Sequence, residues 1–128
     1  MVTASGVPKV LIIDDEEDMC WAVAKGMQQE GYQVAIATGG PRGLELFQRE
    51  GASVILLDLK MPGMDGLEVL RRVRETNEKV PVILITGHGD MDVAMEAISS
   101  GATGYIIKPF QMDDLRQAVQ RVLSDCQP

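Results

Sequence analysis

Long hydrophobic runs are missing from this sequence. No apolar stretch approaches the roughly 20 residues needed to cross a bilayer, and the first ten residues, MVTASGVPKV, lack the apolar segment of a secretory signal. Both absences point to a cytoplasmic protein with no membrane association. Cysteine is scarce too. Cys20 and Cys126 are the two thiols; they lie far apart and match no metal spacing, so unpaired thiols in a reducing compartment are expected rather than a disulfide. Positive charge is in deficit: 12 Lys and Arg face 19 Asp and Glu, a net charge of −7. That excludes direct nucleic-acid binding by this segment, because phosphate backbones are gripped by clustered cations. Repeats, low-complexity tracts and interdomain linkers are absent as well.

What is present suffices for one ordinary domain. Of the 128 residues, 45% are hydrophobic, enough to fill a single core without disulfides or structural metal. Short runs rich in β-branched residues, Val10 to Ile13, Val34 to Ala37, Val54 to Leu57, Val82 to Ile85 and Tyr105 to Ile107, alternate with segments whose apolar residues recur every three or four positions. This predicts five βα units: an α/β, flavodoxin-like (βα)5 doubly wound fold, its parallel sheet covered on both faces and its strands buried on both sides. Gly31, Gly51 and Gly101 punctuate the ends of the first, second and fourth helices, and Pro41 suits a first helical turn. Trp21, on the first helix, is expected to be partly buried.

Polar chemistry falls at the strand ends. Asp14 and Asp15 follow the first strand, Asp58 ends the third, Thr86 the fourth and Lys108 the fifth. Open parallel sheets bind ligands outside the carboxyl ends of their strands, where the strand order reverses. With the order 2-1-3-4-5, borrowed from flavodoxin-like folds, the three aspartates converge in one crevice. Three carboxylates packed together repel unless a cation joins them or one takes a proton. Oxygen-only ligands suit Mg2+. A carboxylate beside Mg2+ can attack phosphorus to give an acyl phosphate, with Lys108 and the Thr86 hydroxyl contacting the phosphoryl oxygens. Each residue alone has an ordinary explanation: a strand-end Asp is commonly a turn or cap residue, and a lone Lys is commonly solvated. Their joint occurrence favours chemistry. Glu16, Glu17 and Asp18 read first as acids favoured by the helix dipole.

Taken in order, VLIIDDEED, VILLDLKMPGMDGLEVL, VILITGHGD and GATGYIIKPF resemble the receiver domain of bacterial two-component response regulators, over about residues 9–123. The resemblance implies that Asp58 accepts a phosphoryl group from a sensor histidine kinase. It implies that Asp14, Asp15, Asp58 and the backbone carbonyl of Lys60 hold Mg2+. Lys108 and Thr86 match the family's phosphoryl-binding lysine and hydroxyl, Thr86 and Tyr105 its switch pair, and Lys108-Pro109 its usual cis bond. Pro62, Gly63 and Gly66 match the loop beside the acceptor. TGHGDMDVAMEAISSGATGYIIKPF is similar to the receivers of NtrC-type activators of enhancer-dependent promoters, which carry an ATPase and a DNA-binding domain downstream. The sequence is therefore expected to form a single receiver domain, 1–128 with its core at about 9–123, and leaves open whether it is the N-terminal part of a longer regulator.

The predicted output surface is the fourth helix, fifth strand and fifth helix, where Met91, Met95 and Tyr105 form an adaptable apolar patch; a homodimer through the same surface is left open. His88 reads as a solvated loop residue, or, with Lys60, as a control on hydrolytic water. The activity expected is phosphoacceptance, with at most self-phosphorylation and self-dephosphorylation. The rivals are an aspartyl-phosphate phosphohydrolase, which needs an acid-base Asp where Lys60 stands, and a binding module that never uses the acidic site.

Overall fold

A computed structural model describes residues 6–125 of the chain. Strands and helices alternate throughout: β1 (Lys9–Ile13), α1 (Glu17–Gln29), β2 (Gln33–Ala37), α2 (Gly40–Glu50), β3 (Val54–Asp58), α3 (Gly66–Thr76), β4 (Val82–Thr86), α4 (Met91–Ser99), β5 (Gly104–Ile107) and α5 (Met112–Asp125), with a 3-10 turn at His88–Asp90 leading into α4. All strand pairs are parallel, in the order β2-β1-β3-β4-β5.

The period of two along each strand divides the core. Leu11, Ile13, Ile55, Leu57, Val82 and Leu84 face one side and pack with residues of α2, α3 and α4. Val10, Ile12, Val54, Leu56, Ile83 and Ile85 face the other and pack with residues of α1 and α5. Because both faces are covered, the strands need apolar residues at consecutive positions rather than alternate ones. The expectation of two-sided burial holds for β1, β3 and β4 but not for the outer strands. In β2 only Ala37 is buried, and no residue of β5 is. These are the edges of the sheet, with a neighbour strand on one side only, so Val34, Ala35, Ile36 and Ile106 pack against the core but stay partly exposed.

Helix ends follow the glycine punctuation, with positive φ at Gly31, Gly51 and Gly101, and Pro41 lies in the first turn of α2. At the end of α4 the cap is reinforced from α3: Arg74 donates from Nε (3.0 Å) and Nη2 (2.8 Å) to the Gly101 carbonyl and from Nη1 (3.1 Å) to that of Asn77. These charge-assisted bonds hold the carbonyls just past the ends of α4 and α3. Arg74→Ala is expected to cost about 2 kcal/mol, read as a lower urea midpoint with unchanged slope.

Trp21 departs from expectation: it is 73% exposed. The buried stripe of α1 is Cys20, Val23, Ala24, Gly26 and Met27, and a residue one past Cys20 and two before Val23 falls off that stripe, toward solvent. Trp21→Ala should therefore change stability by less than about 0.5 kcal/mol, and iodide should quench the native indole readily; a blue-shifted, unquenched emission would contradict this. Cys20 is a free, buried thiol, whereas the pairing of Cys126 lies outside the described residues. Among the described residues no helix is long and apolar enough to cross a membrane.

Candidate functional site

Strand register gathers the polar residues on one rim. Ile13 pairs with Leu57, so Asp14 follows beside Asp58; Asp58 pairs with Ile85, so Thr86 comes next; Thr86 pairs with Ile107, so Lys108 follows. Backbone bonds extend the ladder past these ends: Asp14 N–H to Ala37 O (3.1 Å), Leu59 N–H to Ile85 O (3.2 Å) and Lys108 N–H to Thr86 O (2.7 Å). The crevice is thus anchored on the sheet, which fixes side-chain positions better than free loops do.

Asp14, Asp15 and Asp58 each place a carboxylate oxygen within 4.8 Å of the others. Asp14 is fully buried and Asp58 is 3% exposed, while Asp15 faces solvent. One oxygen of Asp14 accepts from the Glu16 backbone N–H at 2.9 Å; its Oδ2 is buried with no hydrogen-bond partner among the described residues. Beneath it, the Cys20 thiol donates to the Asp14 carbonyl at 3.3 Å. Asp58 accepts from the Lys60 backbone N–H, and Lys108 Nζ stands 3.5 Å from Asp58 Oδ1 and 3.3 Å from Glu16 Oε1.

Electrostatics follow from this packing. Burial, then the charge of Asp14, pushes the Asp58 carboxyl up to about 7, against the pull of Lys108 and the Lys60 N–H. Burial likewise raises Asp14, against the Glu16 N–H and Lys108. Burial alone would lower Lys108, but Asp58, Asp14 and Glu16 together hold it above its ordinary range. The Cys20 thiol is pushed to about 11 by burial and by the neighbouring aspartates, so it stays protonated and unreactive. Two buried carboxylates held above their usual range, a third at the rim and an orphaned oxygen fit a hard divalent cation, which takes oxygen ligands and keeps water on its open side. The acidic pocket is compatible with a metal ion.

The remaining predicted residues are placed as follows. Thr86 is 2% exposed, and its hydroxyl donates to the Gly87 carbonyl at 3.4 Å. Tyr105 is 42% exposed on β5, facing solvent rather than the crevice. Met95 is exposed with it, while Met91 is half-buried against the core. His88 is exposed in the 3-10 turn. The Lys60 side chain is ion-paired to Asp90 at 2.9 Å. The Lys108-Pro109 bond is cis. Gly63 has φ +78°, whereas Gly66 is glycine for a different reason: a Cβ there would meet the Asp58 carbonyl oxygen at 2.4 Å and Leu59 Cα at 2.7 Å. Sequence reasoning missed the pairs Lys108–Glu16 and Lys60–Asp90. Both are tertiary contacts of long side chains, and only the acidity of the DDEED run hinted at the first.

A five-stranded 2-1-3-4-5 sheet with an acidic crevice at the carboxyl ends of β1 and β3 and a lysine after β5 defines the class of receiver-like α/β domains. The chain belongs to the response regulator receiver domain family, whose match covers residues 10–120. It is 36% identical to sporulation initiation phosphotransferase F of Bacillus subtilis (strain 168) over 90% of this chain and 93% of that one. It is 35% identical to regulatory protein AtoC of Escherichia coli (strain K12), over 93% of this chain and 26% of that one, and 33% identical to the DNA-binding transcriptional regulator NtrC of the same strain, over 92% and 25%. The chain thus spans nearly all of the first relative and about a quarter of the other two. A response regulator receiver domain protein from Clostridium thermocellum superposes with a TM-score of 0.89 at 31% identity, covering 93% of this chain and 96% of that chain. NtrC-type receivers are therefore among its homologues.

Proposed function

We propose that Asp58 accepts a phosphoryl group from a phosphohistidine of a sensor histidine kinase. The phosphorus–nitrogen bond breaks, a bond from phosphorus to an Asp58 carboxylate oxygen forms, and the departing imidazole nitrogen keeps the electron pair and takes a proton from water. The carrying observation is the orphaned, buried Asp14 Oδ2 beside Asp58, with Lys108 3.5 Å from the acceptor. Asp14, Asp15, Asp58 and the backbone carbonyl of Lys60 would hold Mg2+, which neutralises phosphoryl oxygens when bound. Lys108 is near enough to leave Glu16 and follow the charge gained at Asp58. Thr86, buried one strand over, offers its hydroxyl to the same oxygens.

The output follows from what moves. A dianionic group at Asp58 draws Thr86 inward, shifts the Gly87–Gly89 segment and lets Tyr105 turn in from solvent, changing the surface of α4, β5 and α5. In a longer cytoplasmic regulator built like the quarter-matched relatives, that surface governs an output unit, with ATPase and DNA-binding domains the type expected, or a homodimer through the same face. The chain is a phosphoacceptor rather than a turnover enzyme. Against the phosphohydrolase alternative, the position two after Asp58 is Lys60, whose ammonium is paired with Asp90, where that chemistry needs an acid-base Asp.

The test is intact-mass measurement after incubation with acetyl phosphate, with and without Mg2+, on the parent and Asp58→Asn. A Mg2+-dependent, phosphate-sized adduct is expected on the parent alone. An equal adduct on the variant, or none on a folded parent, would overturn the assignment.

A further inference from the structure

Helix α1 opens on a residue that does not serve the helix. Glu16 occupies the N-cap, where the favoured residues are Ser, Thr, Asp and Asn, and its carboxylate accepts from no helix N–H. It reaches instead across the crevice to Lys108, with Oε1 3.3 Å from Nζ. The Glu16 backbone is fixed on both sides of this reach: its N–H donates to Asp14 Oδ1 at 2.9 Å, and its carbonyl accepts from the Cys20 N–H at 3.0 Å. Lys108 is fixed in turn by its own N–H, which donates to the Thr86 carbonyl at 2.7 Å. Two side chains rooted just past the ends of β1 and β5 therefore meet over the mouth of the acidic crevice.

Exposure rises outward along this contact, from the Asp58 side chain at 5% to Lys108 at 25% and Glu16 at 61%. The ammonium lies between two anions at nearly equal distances, 3.3 Å to Glu16 and 3.5 Å to Asp58 Oδ1. Further in, Asp14 Oδ2 is buried with no hydrogen-bond partner among the described residues. Lys108 carries three N–H donors and is close enough for its charge to act on Asp14, yet it leaves that oxygen unbonded. An ammonium is a compact, strongly hydrated charge, and taking it wholly into the crevice costs solvation that the inner carboxylates must offset. Glu16 tips this balance outward by offering a second anion on the wet side.

We infer that Glu16 is a positioning residue that holds Lys108 at the mouth of the crevice, so that the orphaned Asp14 Oδ2 stays open to a divalent cation. This role takes the crevice as the Mg2+ seat proposed above. Carboxylates packed together without a metal repel one another, and the cation at hand to relieve them is the protein's own lysine. Drawn inward, Lys108 would fill the seat as a tethered competitor, present at an effective concentration that a free ion must overcome. Glu16 weakens this competitor without removing it. The lysine held at the rim remains beside Asp58, and the inner oxygens stay free for the ion. With Gln at position 16 the outer anion is gone, and the carboxylates left beside the ammonium, Asp58 and Asp14, lie inward.

The test is Mg2+ titration of the full chain, followed by the amide NMR shifts of residues 14–16 and 58–60, for the parent, Glu16→Gln, Glu16→Asp, Lys108→Met and the Glu16→Gln, Lys108→Met double variant. Glu16→Gln should weaken Mg2+ binding about five-fold, and Lys108→Met should tighten it. In the Lys108→Met background, Glu16→Gln should leave the affinity within about two-fold, because the competitor it releases is absent. Glu16→Asp keeps the charge and gains a preferred cap but is one methylene shorter, so it should raise stability and still weaken Mg2+ binding. Equal losses from Glu16→Gln in both backgrounds would mean that Glu16 acts on the ion through its charge alone. Parent-like Mg2+ binding in Glu16→Asp would reduce it to an acid of the helix terminus. Either result overturns the role assigned to Glu16. Without metal, the Lys108 ammonium resonance, identified by its loss in Lys108→Met, should exchange with water more slowly in Glu16→Gln than in the parent; faster exchange would show the lysine released to solvent and overturn the role as well. A parent with no saturable Mg2+ response removes the metal seat itself and this role with it, whereas in a parent that binds Mg2+ the double-variant comparison judges Glu16 alone.

Discussion

Asp58→Asn is expected to make the metal-free protein more stable, by about 3 kcal/mol at pH 8, and to make no difference near pH 4. The cause is the burial that pushes the Asp58 carboxyl up to about 7, with the charge of Asp14 adding to it. Below about pH 4 this carboxyl is protonated in the folded and the unfolded chain alike, and its stabilising share is complete. Between about pH 4 and 7 the unfolded chain releases the proton while the folded one keeps it, so stability falls as pH rises. Above about 7 the folded chain carries the buried charge and the loss is complete. The amide has no such slope, so the gap between variant and parent should open across that window. Saturating Mg2+ should close it again at pH 8, because a cation among the carboxylates relieves the repulsion that the substitution otherwise removes. Chemical denaturation at pH 4, 6 and 8, with EDTA and with Mg2+, measures all three arms. A variant less stable than the parent at pH 8 in EDTA would show that the cluster is not strained in the folded state.

The same site shows why so much of this molecule is legible in its sequence. Parallel strands covered on both faces must be continuously apolar, so the first polar residue marks where a strand leaves the sheet. Asp14, Asp58, Thr86 and Lys108 announce themselves in that way, and the strand order then brings the acids together within 4.8 Å. The edge strands were misjudged because β-branched composition looks the same in a central strand and an outer one; only the number of neighbours distinguishes them. Trp21 misled because its size suggests burial, while its place on the helix is set by Cys20, Val23 and Met27. Long charged side chains escape sequence logic altogether. Lys108 meets Glu16 across 92 positions, and Lys60 meets Asp90 between two loops, contacts fixed by side-chain reach after the fold has formed.

Gly66→Ala is expected to cost about 3 kcal/mol or more, the largest loss from adding a single methyl group in the crevice loop. Gly66 is the first residue of α3, and its N–H donates to the Leu59 carbonyl at 3.0 Å. A methyl group there would lie 2.4 Å from the Asp58 carbonyl oxygen and 2.7 Å from Leu59 Cα. Both obstacles are backbone of the central strand or its first continuing residue, and neither can swing aside as a side chain would. Relief requires the first turn of α3 to lift from β3, against the cap in which Asp65 Oδ1 accepts from the Glu68 N–H at 3.0 Å, or requires Asp58 itself to move. The second route misplaces the carboxylate proposed as the acceptor, so phosphorylation should slow along with the loss of stability. Gly63→Ala is the matched control. Gly63 has φ +78° but nothing within 4 Å of an added Cβ, so it should cost only about 1 kcal/mol of backbone strain and leave Asp58 in place. Urea denaturation of the two variants separates close approach from conformational freedom as the reason each position is glycine. If Gly66→Ala unfolded at the parent's midpoint, the packing of α3 onto the end of β3 would be looser than these distances require.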